Sequence, residues 1–125
     1  MRRALCLGLV IAALAASPAT ATTTALRIVL WPQGRDAPER KAWTLRCGPA
    51  GGTLPKQSAA CRKLSLLDDP FAPISPDAIC TQIFGGPAVA VVSGTFRGRR
   101  IWATFRRTDS CQIDRWNRIG FLFPK

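Results

Sequence analysis

The sequence contains no histidine, no tyrosine, one methionine and only seven acidic residues against 18 lysines and arginines. Each shortage excludes something. Without histidine there is no Ser-His-Asp or Cys-His arrangement for nucleophilic catalysis. Structural zinc is disfavoured too, because the cysteines are spaced far from a C-x-x-C pattern and have no histidine to join them. The acids are Asp36, Glu39, Asp68, Asp69, Asp77, Asp109 and Asp114. Only Asp68 and Asp69 adjoin, and beside Pro70 they read as a solvated turn or helix end, not as a catalytic pair. Gly51-Gly52 lacks the following Lys-Ser/Thr of a phosphate-binding loop. Neither an enzyme nor a cofactor or metal is expected. The scarcity of acids leaves a net charge of +11. Arg97, Arg99, Arg100, Arg106 and Arg107 form the one dense basic group. No aromatic-and-basic pattern of a nucleic-acid module surrounds it, so the charge reads as solubility and no nucleic-acid partner is expected.

Long apolar runs are scarce as well. The one present, 4–16, follows Arg2-Arg3 and precedes Ser17-Pro18 and the small-x-small site Ala19-Thr20-Ala21. This is a secretory signal pattern, too short for a comfortable membrane span. Residues 1–21 are therefore read as a signal peptide cut after Ala21, taking Cys6 with it. Thr22 stands where a lipoprotein would need cysteine. Residues 22–125 then suit one exported, extracellular domain with no membrane association after cleavage. Four cysteines remain: Cys47, Cys61, Cys80 and Cys111. An even number in a small exported domain reads as two disulfides. Three pairings are open, and we take Cys47–Cys61 with Cys80–Cys111, which close two separate loops.

Strands are expected at 26–31, at 41–47 with Trp43, Leu45 and Cys47 on one face, and at 119–123. Segments 87–96 and 99–106, flanking Arg97-Gly98, predict a β-hairpin. Residues 58–67 offer Cys61, Leu64 and Leu67 at helical spacing. Thr108 or Asp109 can cap a second short helix through Cys111, Ile113 and Trp116. Pro70, Pro73 and Pro76 forbid regular structure before "CTQIFGGP", residues 80–87.

The pieces "TLRCGPAGGTLPKQSAACRKL", "DPFAP", "ICTQIFGGPAVAVVSGTFRGRRI" and "DSCQI" together resemble the bacterial subtilisin inhibitor family, the secreted proteinase inhibitors of actinomycetes. The resemblance covers most of 26–123. It implies an α+β fold: a five-stranded antiparallel sheet, two short helices and the two disulfides Cys47–Cys61 and Cys80–Cys111. It implies a secreted inhibitor of subtilisin-like serine proteases, with dimers packed through their sheets. It places a reactive-site loop at Cys80, Thr81, Gln82, Ile83 and Phe84, with the scissile bond at Gln82–Ile83. In that frame Gln82 enters the primary pocket, Thr81 and Ile83 flank the bond, and Phe84 packs down or extends the contact. The chain departs from the family in carrying Thr81 and Gln82 where proline and a large apolar or basic residue are common. Its Gly85-Gly86-Pro87 turn is also one residue longer than the common one. The alternative is a non-inhibitory secreted binding module on the same scaffold, meeting anionic partners through the basic hairpin.

Overall fold

A computed structural model describes residues 10–14 and 23–125. The expected signal segment lies outside the described residues, except for 10–14, which carry no regular secondary structure. Five antiparallel strands form one sheet: β1 (Thr24–Trp31), β2 (Lys41–Cys47), β3 (Gly51–Gly52), β4 (Val89–Phe96) and β5 (Arg99–Phe105), in the order β3-β2-β1-β4-β5. Helix α1 (Gln57–Ser65) follows β3, and helix α2 (Ser110–Arg118) follows β5.

Strand alternation puts one face of the sheet into the core. Leu26 pairs with Leu45, and Ile28 with Trp43 on one side and Val92 on the other. Leu30, Ala90 and Phe105 make the next row. Leu54, Ala60 and Leu64 cover these rows from α1 and its approach, while Phe71, Ile119, Leu122 and Phe123 close the other end. Strand β4, between β1 and β5, departs from alternation. Val89, Ala90, Val91 and Val92 are all buried, on both faces of the strand. Among the described residues, part of the opposite face is left exposed, where Arg27, Arg46, Arg100 and Trp102 surround a depression of about 760 Å³, with Trp102 76% exposed.

The sheet has the expected number of strands but not the expected membership. Residues 119–123 are not a strand. Gly120–Leu122 form a 3-10 turn, with Leu122 N–H bonded to the Ile119 carbonyl and Phe123 N–H to that of Gly120. The burial of Ile119, Leu122 and Phe123 follows a helical three-then-four spacing, not a period of two. The fifth place is taken by Gly51–Gly52, which the sequence presents only as turn residues. The hairpin forms as expected. Arg97 (φ 49) and Gly98 (φ 80) both adopt left-handed backbone, as a type I′ turn demands.

Two arginines tie the irregular connector after α1 to the sheet. Arg97 donates to the carbonyls of Leu64 (3.0 Å), Leu67 (2.6 Å) and Asp68 (2.7 Å), so the hairpin tip satisfies carbonyls at the end of α1. Arg115 on α2 donates to Thr104 (2.6 Å), Ala72 (2.9 Å) and Phe71 (3.4 Å) and lies 4.0 Å from the centre of the Phe105 ring. Burial pushes its pKa below the usual arginine value. The first disulfide, Cys47–Cys61, ties the end of β2 to α1.

Candidate functional site: a loop held at both ends

The second disulfide joins Cys80 to Cys111, with Cα atoms 5.3 Å apart. Around it the loop is fastened twice more. Thr81 N–H donates to Ser110 Oγ at 2.8 Å, and Ser110 N–H returns to the Thr81 carbonyl at 3.0 Å. The same carbonyl accepts Ile83 N–H at 2.9 Å. That bond spans two residues and makes a γ-turn centred on Gln82. At the far end Gly85 N–H donates to the Arg107 carbonyl at 2.7 Å, and Arg107 Nε–H donates to the Gly85 carbonyl at 3.1 Å.

Between these fastenings the side chains face solvent. Gln82 is exposed, Ile83 is 52% exposed and Phe84 71% exposed. Phe84 therefore extends outward and does not pack onto the body. Ile79, just before Cys80, is 98% exposed. Ile79, Ile83 and Phe84 place three exposed apolar side chains on one short segment. Cys80, Thr81, Gln82, Ile83 and Phe84 thus form one protruding run, and only Cys80 is half-buried.

Helix α2 is the platform for this run. Asp109 caps it, its side chain accepting Gln112 N–H at 2.9 Å. Ser110 and Cys111 in the first turn hold the loop before Gln82. Ile113, one turn on, lies beneath Gly85: a Cβ at Gly85 would come within 2.8 Å of Ile113 Cδ1 and 3.2 Å of the Arg107 carbonyl oxygen. In the last turn, Asn117 Oδ1 accepts from Arg107 Nη1 at 3.3 Å, and the guanidinium lies 5.7 Å from the Trp116 ring centre. Ser110, Gly85 and Asn117 carry no local sequence signal for this role. Arg107 was visible only as one of a run of basic residues. Ile113 was visible as a helix position, not as a support under the loop.

The basic hairpin is not a single free patch. Arg97 and Arg107 spend their guanidinium groups on internal carbonyls, whereas Arg99, Arg100 and Arg106 are exposed. Asp68 and Asp69 are both exposed, and Asp69 supplies a turn carbonyl to Ala72 N–H. Cys80, Asp109 and Cys111 bring potential metal-ligating atoms within 4.8 Å of one another. Both sulfurs are spent in the disulfide, so neither offers the thiolate a metal needs.

A small disulfide-bonded α+β domain holding a short exposed segment at both ends defines a loop-presenting protein. Residues 20–108 match the subtilisin inhibitor-like family. The chain is similar to subtilisin inhibitor-like protein 1 of Streptomyces cacaoi, 32% identical over 93 residues, covering 70% of this chain and 84% of that one. Subtilisin inhibitor-like protein 3 of Streptomyces coelicolor is 41% identical over 71 residues, covering 54% of this chain and 64% of that one. The subtilisin inhibitor of Streptomyces violaceus is 36% identical over 77 residues, covering 58% of this chain and 52% of that one, so the chain spans about half its length. Among solved structures, that of Streptomyces caespitosus sermetstatin in complex with Bacillus licheniformis subtilisin superposes with a TM-score of 0.52. It is 24% identical and covers 82% of this chain and 99% of that chain, a likeness of fold. The chain belongs to the subtilisin inhibitor-like family, a family of protease inhibitors and not of enzymes.

Proposed function

We propose that this protein is a secreted inhibitor of subtilisin-like serine proteases that offers Gln82–Ile83 as a substrate-like bond. The observation that carries the proposal is the fastening of the loop on both sides of an exposed Gln82, Ile83 and Phe84. A protease binds peptide in one defined conformation, places one side chain in its primary pocket and attacks the next carbonyl. A loop already held in shape loses little entropy on docking, so it binds more tightly than a free peptide of the same sequence. Complexes of this kind typically bury roughly 1,600 Å² with little backbone movement. Once the bond is attacked, a held loop keeps the new ends together, and rejoining competes with release.

Gln82 then occupies the primary pocket. It brings no charge for an acidic pocket and modest apolar area, which fits a broad subtilisin-like pocket better than a trypsin-like one. Titration of the purified domain against subtilisin, following residual activity and the mass of the cleaved chain, tests the proposal. Stoichiometric loss of activity with slow cutting at Gln82–Ile83 is expected. Replacing Gln82 by leucine should tighten inhibition about tenfold, because the pocket gains apolar area. No inhibition at micromolar concentration by either form would sink the reading. Export by a signal peptide ending at Ala21 belongs to the same proposal. Among the described residues no helix is long and apolar enough to cross a membrane.

A further inference from the structure

The disulfide secures only the part of the loop before Gln82–Ile83. Cys80 precedes that bond, and so does Thr81 with its two bonds to Ser110. After the bond the chain reaches the sheet at Val89 without any covalent tie. What holds this second half is Arg107. Its carbonyl and its Nε–H both engage the backbone of Gly85, at 2.7 and 3.1 Å. Gly85 is the third residue after the bond. The guanidinium does not swing freely, because Asn117 Oδ1 accepts from Nη1 and the Trp116 ring lies beneath it. Gly85 can approach this closely only because it lacks a Cβ, which would meet Ile113 and the Arg107 carbonyl.

We infer that Arg107 is a positioning residue for inhibition, the counterpart on the leaving-group side of the Cys80–Cys111 disulfide. The inference rests on the inhibitor reading above. In the first step the protease's serine oxygen adds to the Gln82 carbonyl, the Gln82–Ile83 C–N bond breaks, and the Ile83 nitrogen departs as an amine carrying a proton from the protease's general acid. An ester between Gln82 and the serine remains. In the reverse step that amine attacks the ester carbonyl, the ester C–O bond breaks, and the serine oxygen recovers a proton. Water in place of the amine gives the Gln82 carboxylate and a cut inhibitor. Which outcome prevails depends on how long Ile83 stays beside the ester, which is a matter of effective concentration. The guanidinium bond to Gly85 keeps Ile83 within two residues of a fixed point. The longer Gly85-Gly86-Pro87 turn, left loose, would let it drift.

The test compares wild type, Arg107→Ala, Arg107→Lys and Arg106→Ala. Arg106 is exposed and gives up the same charge one residue away. Each is incubated with stoichiometric and with catalytic subtilisin. Recovery of protease activity, the equilibrium ratio of intact to cut chain, and the Tm are recorded. Arg107→Ala should release active protease about tenfold sooner and lower the intact-to-cut ratio about tenfold, the factor that one charge-assisted hydrogen bond carries. Arg107→Lys keeps the charge but not the fork to Gly85 and Asn117, and should recover only part of the ratio. It carries the test alone if the alanine variant does not fold. Arg106→Ala should match wild type. A merely structural role for Arg107 would lower the Tm and leave the ratio unchanged, and that result overturns the inference. If wild type itself fails to inhibit, the inhibitor reading falls separately. The cutting rate at Gln82–Ile83 then decides: equal rates in wild type and Arg107→Ala overturn the clamp, and faster cutting in the variant upholds it.

Discussion

Replacing Cys80 and Cys111 together by serine tests how the loop is pinned, and the size of the effect can be worked from the fold. The bridge spans a sequence separation of 31 residues. Loop-closure entropy for a loop of that length corresponds to about 3.7 kcal/mol at 25 °C. The same reasoning for Cys47–Cys61, with a separation of 14, gives about 3.0 kcal/mol. The two double-serine variants should therefore lose similar stability, with the Cys80–Cys111 variant slightly worse. In a domain of about 100 residues each loss lowers the Tm on the order of 15 °C. Their effects on inhibition should differ far more. Without Cys80–Cys111, the segment before Gln82 is held chiefly by the Thr81–Ser110 bonds at the start of α2. Without Cys47–Cys61, the loop and its platform are untouched, since that bridge joins β2 to α1 on another part of the sheet. The assay is thermal denaturation by circular dichroism, followed by subtilisin inhibition well below both midpoints. Inhibition by the Cys80–Cys111 variant should fade within hours as the chain is cut, and that by the Cys47–Cys61 variant should persist. Equal persistence in the two variants would refute the reasoning, because stability alone would then account for both.

Other expectations follow from separate parts of the molecule. Arg97→Asn keeps a residue suited to the left-handed turn position but removes the guanidinium from three carbonyls near the end of α1. It should cost about 2–3 kcal/mol and lower the Tm by roughly 10 °C. High salt should barely change that loss, as the partners are carbonyls rather than charges; an unchanged Tm would show the bonds to be idle. If the protein dimerises through the exposed sheet face, the patch bearing Arg27, Arg46 and Arg100 faces the same basic patch of the second copy. Association measured by sedimentation should then strengthen from low to high salt as the repulsion is screened, and weakening with salt would place the contact elsewhere. The exported protein should begin at Thr22, as read from the mass of the intact chain; a mass that includes the first 21 residues would remove the cleavage site.

Much of this architecture is legible in the sequence because it depends on local chemistry. The alternation of Trp43, Leu45 and Cys47 defines β2 within its strand. Arg97-Gly98 between two β-rich segments defines the hairpin, and Asp109 caps α2 as its side-chain chemistry allows. The exchange of residues 119–123 for Gly51–Gly52 as the fifth strand was less accessible. Ile119, Leu122 and Phe123 are apolar under either pattern, and a run of five residues barely separates a period of two from one of three to four. Gly51–Gly52 carries no strand propensity, and its pairing is imposed by neighbouring β2.

The sequence by itself determined the class of the molecule: an α+β domain with a hairpin and two short helices, the second capped by Asp109, without catalytic histidine, carrying a cysteine-flanked segment of mixed polarity. Those features rest on residue types and on spacings of a few positions. The tertiary structure alone decided that Ile83 and Phe84 face solvent, that Arg107 and Arg97 turn inward, and that Ser110, Ile113 and Asn117 carry the loop. Each of these depends on partners separated by tens of residues, from Thr81 and Ser110 to Arg97 and Leu64. An arginine in a basic run looks the same whether it meets water or a carbonyl; the end of α1 decides it for Arg97, and the packing of α2 against the loop for Arg107.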